Sequence, residues 1–235
     1  MKIFTLLALS LTLILCGCSG DSTKSAEPTT TAETSQKKKP RNKKKGPKTN
    51  KSLGMEDNAE NVLGGLKVGD KAPDFALTDQ TGEAFSLSEV LGSHSVILTF
   101  YRGAWCPYCS KQLAQLNDNV AQFIEKGAML VAVSPENPEW SMEVSEKKQL
   151  RFPILHDAAH TVSKAYKGFY HVTDMYSGRV KQGLGKDIAK RNGDADPMLN
   201  VPATYVIGKD GVIKYAFYDN DYSQRADLSE VMAAL

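Results

Sequence analysis

Cys106-Pro107-Tyr108-Cys109 puts two thiols at a spacing where residues on a helix share one face. The chain around them would hold them at a strand-to-helix junction. Ser95 to Tyr101 is an apolar, β-branched and aromatic run that reads as a buried strand. Beyond the pair, Leu113, Leu116, Val120 and Phe123-Ile124 recur at helical spacing until Gly127. Pro107 suits a first helical turn, where free backbone N–H groups and the helix dipole favour an anion. A thiolate is such an anion, so Cys106 is expected to carry a depressed pKa and act as nucleophile, with Cys109 as its disulfide partner. A structural disulfide and half of a zinc site are the competing readings. Zinc needs further Cys or His ligands, and the other two cysteines, Cys16 and Cys18, lie in the N-terminal apolar segment. Trp105 directly before the pair and the strand–helix context favour redox chemistry, and no metal or cofactor is implied.

The elements that must position this junction follow in order. Ala72 to Leu77 and Ala84 to Leu87 alternate apolar and polar residues around an Asp79-Gln80-Thr81-Gly82 turn, as a β-hairpin does. Ala128 to Val133 is a second apolar strand that completes a βαβ unit with a parallel pair. A helix over 138–148, a short strand at 152–155 and a helix over 158–166 capped by Asp157 come next. Residues 168–199 have weak periodicity and read as a long excursion near the site. Thr204 to Ile207, an Asp210-Gly211 turn and Val212 to Phe217 form a hairpin, and 228–235 a terminal helix.

The N-terminus is of a different kind. Met1-Lys2 and the apolar run from Ile3 to Leu15 read as a signal peptide over 1–17. Leu15-Cys16-Gly17-Cys18 resembles a bacterial lipobox. Gly17 makes Cys18 the residue that would be lipidated, and Ser19 favours the outer membrane. That implies an exported lipoprotein facing the periplasm. Residues 18–60 are rich in Ser, Thr, Lys, Pro and Gly and read as a flexible tether. Its segment 37–51 holds nine basic residues and no acid, with no aromatic residues interleaved for base stacking, so nucleic acid is not an expected partner. The overall charge of +2 conceals an acidic domain, because residues 61–235 carry 18 basic and 21 acidic side chains, a net of −3.

Three stretches across 61–235 resemble the peroxiredoxin-like (AhpC/TSA) branch of the thioredoxin superfamily: Ala72-Pro73-Asp74-Phe75, the run from Phe100 to Cys109, and Val201-Pro202-Ala203-Thr204-Tyr205-Val206-Ile207. The resemblance implies a thioredoxin-like α/β fold, a central mixed sheet flanked by helices, with an added N-terminal hairpin. It also implies a thiol oxidoreductase, and a cis Val201-Pro202 peptide facing the cysteines. The departures are specific. Aligned on Phe100-Tyr101, Arg102 stands where peroxiredoxins carry proline and Cys106 where they carry threonine. Cys109 falls at their peroxide-attacking position, and Pro202 where a distant arginine would fall.

Arg102 could stabilise a thiolate or be a solvated loop charge; Trp105 reads as packing beside the motif, and Tyr108 as a rim residue. His156 and His160 are four apart but lack a further metal ligand, so capping or surface roles are preferred. The expected function is a lipid-anchored antioxidant peroxidase cycling Cys106 and Cys109 between dithiol and disulfide. A thioredoxin-like protein or a low-molecular-weight thiol would reset it. Thiol–disulfide exchange on exported proteins is the alternative, and a non-catalytic binding lipoprotein the second. Mass spectrometry of the native protein is expected to find lipid on Cys18 as the first residue; a soluble mature chain beginning elsewhere would exclude the anchor.

Overall fold

Strands read from continuous apolar runs must be covered on both faces, because neither face offers polar side chains to water. The computed structural model, which describes residues 48–235, shows this cover. Its elements are a 3-10 turn at Lys51–Leu53, β1 (Ala76–Thr78), β2 (Ala84–Ser86), α1 (Leu87–Val90), β3 (Ser95–Phe100), α2 (Pro107–Asp118) and α3 (Val120–Glu125). There follow β4 (Ala128–Ser134), α4 (Pro138–Lys148), β5 (Ile154–His156), α5 (Thr161–Ala165), β6 (Phe169–His171), α6 (Asp174–Leu184) and α7 (Ile188–Asn192). The chain closes with β7 (Met198–Asn200), β8 (Ala203–Ile207), β9 (Ile213–Tyr218) and α8 (Leu228–Ala233).

The central sheet has the order β5-β4-β3-β8-β9. β3, β4 and β5 run parallel, and β8 and β9 are antiparallel to their neighbours. Side chains alternate across it. Ile97, Leu130, Ala132 and Val206 pack with Leu113 and Leu116 of α2 and Phe123 of α3. Val96, Leu98, Phe100, Val131 and Val133 pack on the other face with Val162, Tyr166 and Leu87. This is the mixed α/β arrangement the sequence led us to expect. β1 and β2 pair antiparallel from Ala76↔Ser86 to Thr78↔Ala84.

Three expectations are corrected. The helix after the cysteines is broken at Asn119 into α2 and α3, the Asn119 backbone lying outside the helical region. Residues 168–199 are not an excursion. They hold β6 and β7, paired antiparallel, and two helices between them. Three-residue strands and a helix containing Gly178 and Gly183 leave too little periodicity to read. The tether also ends earlier than residue 60. Leu53 and Met55 are 2% and 3% exposed, Met55 bridges Val172, and Val62 bridges Phe169. The basic run is not wholly free of the domain either, since Lys48 pairs with Asp221 at 2.7 Å. The signal segment, Cys18 and the remainder of the basic run lie outside the described residues. No helix among the described residues is long and apolar enough to cross a membrane.

If 48–60 were plain tether, truncating Leu53 would cost nothing. Because the side chain is buried, Leu53→Ala is expected to lower unfolding stability by about 2–5 kcal/mol, read from the urea midpoint at constant slope.

Candidate active site

The register of the sheet sets the site. Phe100, the last residue of β3, pairs with Val133 on one side and Ala203 on the other. The chain therefore leaves β3 at the carboxyl edge of the parallel strands, where open α/β sheets bind ligands. Pro202, immediately before β8, is buried at the same edge. Tyr101 continues the ladder by donating its N–H to Val133 at 3.1 Å. Asn200 Nδ2 donates to Val133 O at 3.2 Å and reaches Tyr101 O at 3.4 Å, tying both strand ends together.

Gly103 then turns the chain with φ +145°. A Cβ there would lie 2.3 Å from Trp105 Nε1, so only glycine fits. Cys106 is the N-cap residue of α2, with extended backbone, and Pro107 opens the helix as expected. Gln112, one turn beyond Cys109, donates from Nε2 to Thr99 Oγ1 at 3.2 Å; that hydroxyl lies 3.0 Å from Thr204 Oγ1. The helix carrying the thiols is thus fastened to the middle of the sheet by a buried polar contact.

Both cysteines are free and buried, Cys106 at 1% and Cys109 at 0% exposure. Although it stands at the start of α2, Cys106 is sealed from solvent, under a roof of side chains that includes Arg102, Tyr222 and Arg225. A hydrogen bond from the Cys109 side chain is the largest influence holding the Cys106 thiol below its ordinary range. Burial opposes this, and Arg102, the Cys109 backbone N–H and Arg225 assist it. Burial pushes the Cys109 thiol up, and Cys106 adds to the shift. The two shifts run in opposite directions, favouring the proton on Cys109 and the charge on Cys106.

Arg102 is not a solvated loop charge. It is 1% exposed, and its Nη2 donates to Tyr176 Oη at 2.6 Å. Its guanidinium carbon lies 3.9 Å from the ring centroid of Tyr222, 4.9 Å from Trp105 and 5.3 Å from Tyr176. Arg225, unread in the sequence, donates from Nη2 to Cys109 Sγ at 3.3 Å. Tyr108 stands at the rim as expected, 49% exposed, its ring 6.0 Å from that of Tyr222. The preceding loop is held from below. Glu136, fully buried, accepts from the Ala104 N–H at 2.6 Å and pairs with Arg191 Nε. Glu136 follows β4 at the same sheet edge, a topological signal that could have found it. Nothing in sequence marks Arg225, Tyr176 or Tyr222, which reach the site through tertiary packing alone.

The two histidines do not share a site. His156 Nδ1 contacts the Glu136 carbonyl at 2.8 Å, whereas the buried His160 packs on Phe169, ring centroids 5.1 Å apart.

A thiolate-bearing dithiol at the head of a helix, on a mixed sheet with this order, defines a thiol-dependent oxidoreductase. Residues 68–216 match the AhpC/TSA family, and the chain belongs to it. A Mycobacterium tuberculosis protein named as a peroxiredoxin is 34% identical over 154 residues, covering 66% of this chain and 86% of that protein. Peroxiredoxin Bcp of Escherichia coli is 29% identical over 163 residues, covering 69% and 92%. The crystal structure of peroxidoxin BcpB from Mycobacterium tuberculosis superposes with a TM-score of 0.55 at 24% identity, over 72% of this chain and 96% of that one, and shares the thioredoxin fold.

A depressed thiol keeps its thiolate as pH falls below the free-cysteine range of about 8.5. It also contributes stability above that range, and the contribution fades as pH falls through the folded value. Arg102→Gln is therefore expected to move the pH midpoint for alkylation of Cys106 upward, about one unit for each 1.4 kcal/mol of lost stabilisation. Alkylation rate against pH, checked by peptide mapping, measures it. An unmoved midpoint would remove Arg102 from the site.

Proposed function

We propose that this protein is an exported, lipid-anchored peroxidase in which Cys106 attacks the peroxide and Cys109 resolves the product. The observation that carries the reading is that both thiols are free and sealed at the first turn of α2. A protein disulfide must bring a bulky chain to the attacking thiolate, whereas a small peroxide needs only a gap in the roof. The burial of Cys106 at 1% exposure therefore favours peroxide over disulfide exchange.

The Cys106 thiolate attacks the nearer peroxide oxygen, the O–O bond breaks, and Cys106 becomes a sulfenic acid. The leaving alkoxide or hydroxide takes the Cys109 proton, giving an alcohol or water. The new Cys109 thiolate, facing Arg225, attacks Cys106 sulfur and expels hydroxide, which a solvent proton converts to water. A disulfide remains. Two equivalents of a small thiol, which the same gap admits, reduce it by exchange and leave as their own disulfide. Thioredoxin-like placement at the helix start, where free N–H groups act on the anion, supports Cys106 as attacker over the aligned peroxiredoxin position of Cys109. Cys18 and the basic run would hold this domain at a membrane surface.

Cys106→Ser is expected to abolish peroxide consumption. Cys109→Ser should react once, and a dimedone adduct on Cys106 should then be found by mass spectrometry. Sulfenic acid accumulating on Cys109 of the Cys106→Ser variant at the wild-type rate would instead make Cys109 the attacker.

A further inference from the structure

A recess abuts the outer side of the cysteine turn. Its volume is about 320 Å³, and its inner wall is Ala104, Trp105 and Ser110, which flank the Cys106–Cys109 motif in sequence. Ser110 is also bonded to the site, its N–H donating to the Cys106 carbonyl at 2.9 Å. The opposite wall comes from α4, with Trp140, Val144, Lys147 and Lys148, and the far end from Lys186 and Arg191.

The charge balance of this recess is opposite to that of its domain. Residues 61–235 carry a net of −3, yet four basic side chains line the recess against one carboxylate, Glu143. Arg191 is balanced by Glu136, with its guanidinium 4.2 Å from the ring centroid of Trp140. Lys147, Lys148 and Lys186 form no ion pair among the described residues. Clustered like charges in a concave, partly apolar wall raise the local potential and draw in an anion. Trp105 and Trp140 line these walls, while their indole N–H groups are buried away from solvent. An aromatic, partly apolar recess with a few convergent polar groups has the character of a small-molecule site.

We propose that this recess binds a carboxylate-bearing small organic molecule, its apolar part against Trp105 and Trp140 and its carboxylate among Lys147, Lys148 and Lys186. Given the peroxidase reading, on which this use of the site rests, the molecule is either an organic hydroperoxide or the thiol that reduces the disulfide. Either would be held against the outer side of the turn that carries Cys106, whose own side chain does not line the recess.

Both tryptophans of the chain line the recess, so binding can be read without turnover. Titrating the purified protein with decanoate should change tryptophan fluorescence saturably, decanol should not, and added salt should weaken the response. The Lys147→Glu/Lys186→Glu double variant should raise the decanoate Kd about tenfold or more, whereas Lys147→Arg should retain binding. Two kinetic arms name the source. In one, the ratio of kcat/KM for a fatty-acid hydroperoxide over its methyl ester falls about tenfold in the double variant. In the other, the same ratio falls for reduction of the Cys106–Cys109 disulfide by thioglycolate over 2-mercaptoethanol. A fall in either arm supports the site. No saturable decanoate response, a response indifferent to charge reversal, or charge discrimination in neither arm would overturn it. Failure of the peroxidase reading is distinct, since it shows as no consumption of hydrogen peroxide whatever decanoate does.

Discussion

A full positive charge at 1% exposure needs an opposite charge, and Arg102 has no carboxylate partner among the described residues. Stranding a guanidinium in a low-dielectric interior costs several kcal/mol. Three aromatic rings and one tyrosine hydroxyl offset part of this, but the Nε and Nη1 donors remain without acceptors. The Cys106 thiol, held below its ordinary range in part by Arg102, is the group best placed to supply an anion beside it. The dependence runs both ways: Arg102 adds to the Cys109 hydrogen bond in favouring a charged sulfur, and a charged sulfur eases the burial of the arginine. Oxidation of Cys106 removes that partner, so the chemistry of the thiol and the packing of the roof are bound together.

The rest of the fold gives this pair a fixed frame. Continuous apolar strands place the junction at the carboxyl edge of the sheet, and the Thr99–Thr204–Gln112 contact locks the helix depth. Glu136 and Arg191 hold the loop from beneath, and Asn200 holds the strand ends. These contacts are polar and buried. Each therefore has a definite geometry, which sliding hydrophobic surfaces alone would not impose.

The parts that were legible in sequence are those that depend on local pattern. β3, β4 and the β8–β9 hairpin declare themselves by apolar runs and an Asp-Gly turn, and Cys106 and Cys109 by their spacing. The site's inner half was legible for the same reason, because it lies within one short segment. The roof was not. Arg225, Tyr222 and Tyr176 sit in polar or weakly periodic stretches far along the chain, and only tertiary packing brings them to the thiols. Likewise Leu53 and Met55 are isolated apolar residues in a polar run. Their burial depends on an edge formed by β6, itself too short to announce.

The Lys48–Asp221 contact ties two distant stretches of chain over the site. Lys48 also lies 5.5 Å from the Tyr222 ring, whose neighbours include the Arg102 guanidinium. With exposures of 38% and 20%, such a pair is worth about 1 kcal/mol or less. Mechanically, though, it is in series with the roof: tension along the chain before Lys48 loads this weak clasp first. A sustained pull would strip the clasp and slacken Tyr222 well before it disturbed the sheet.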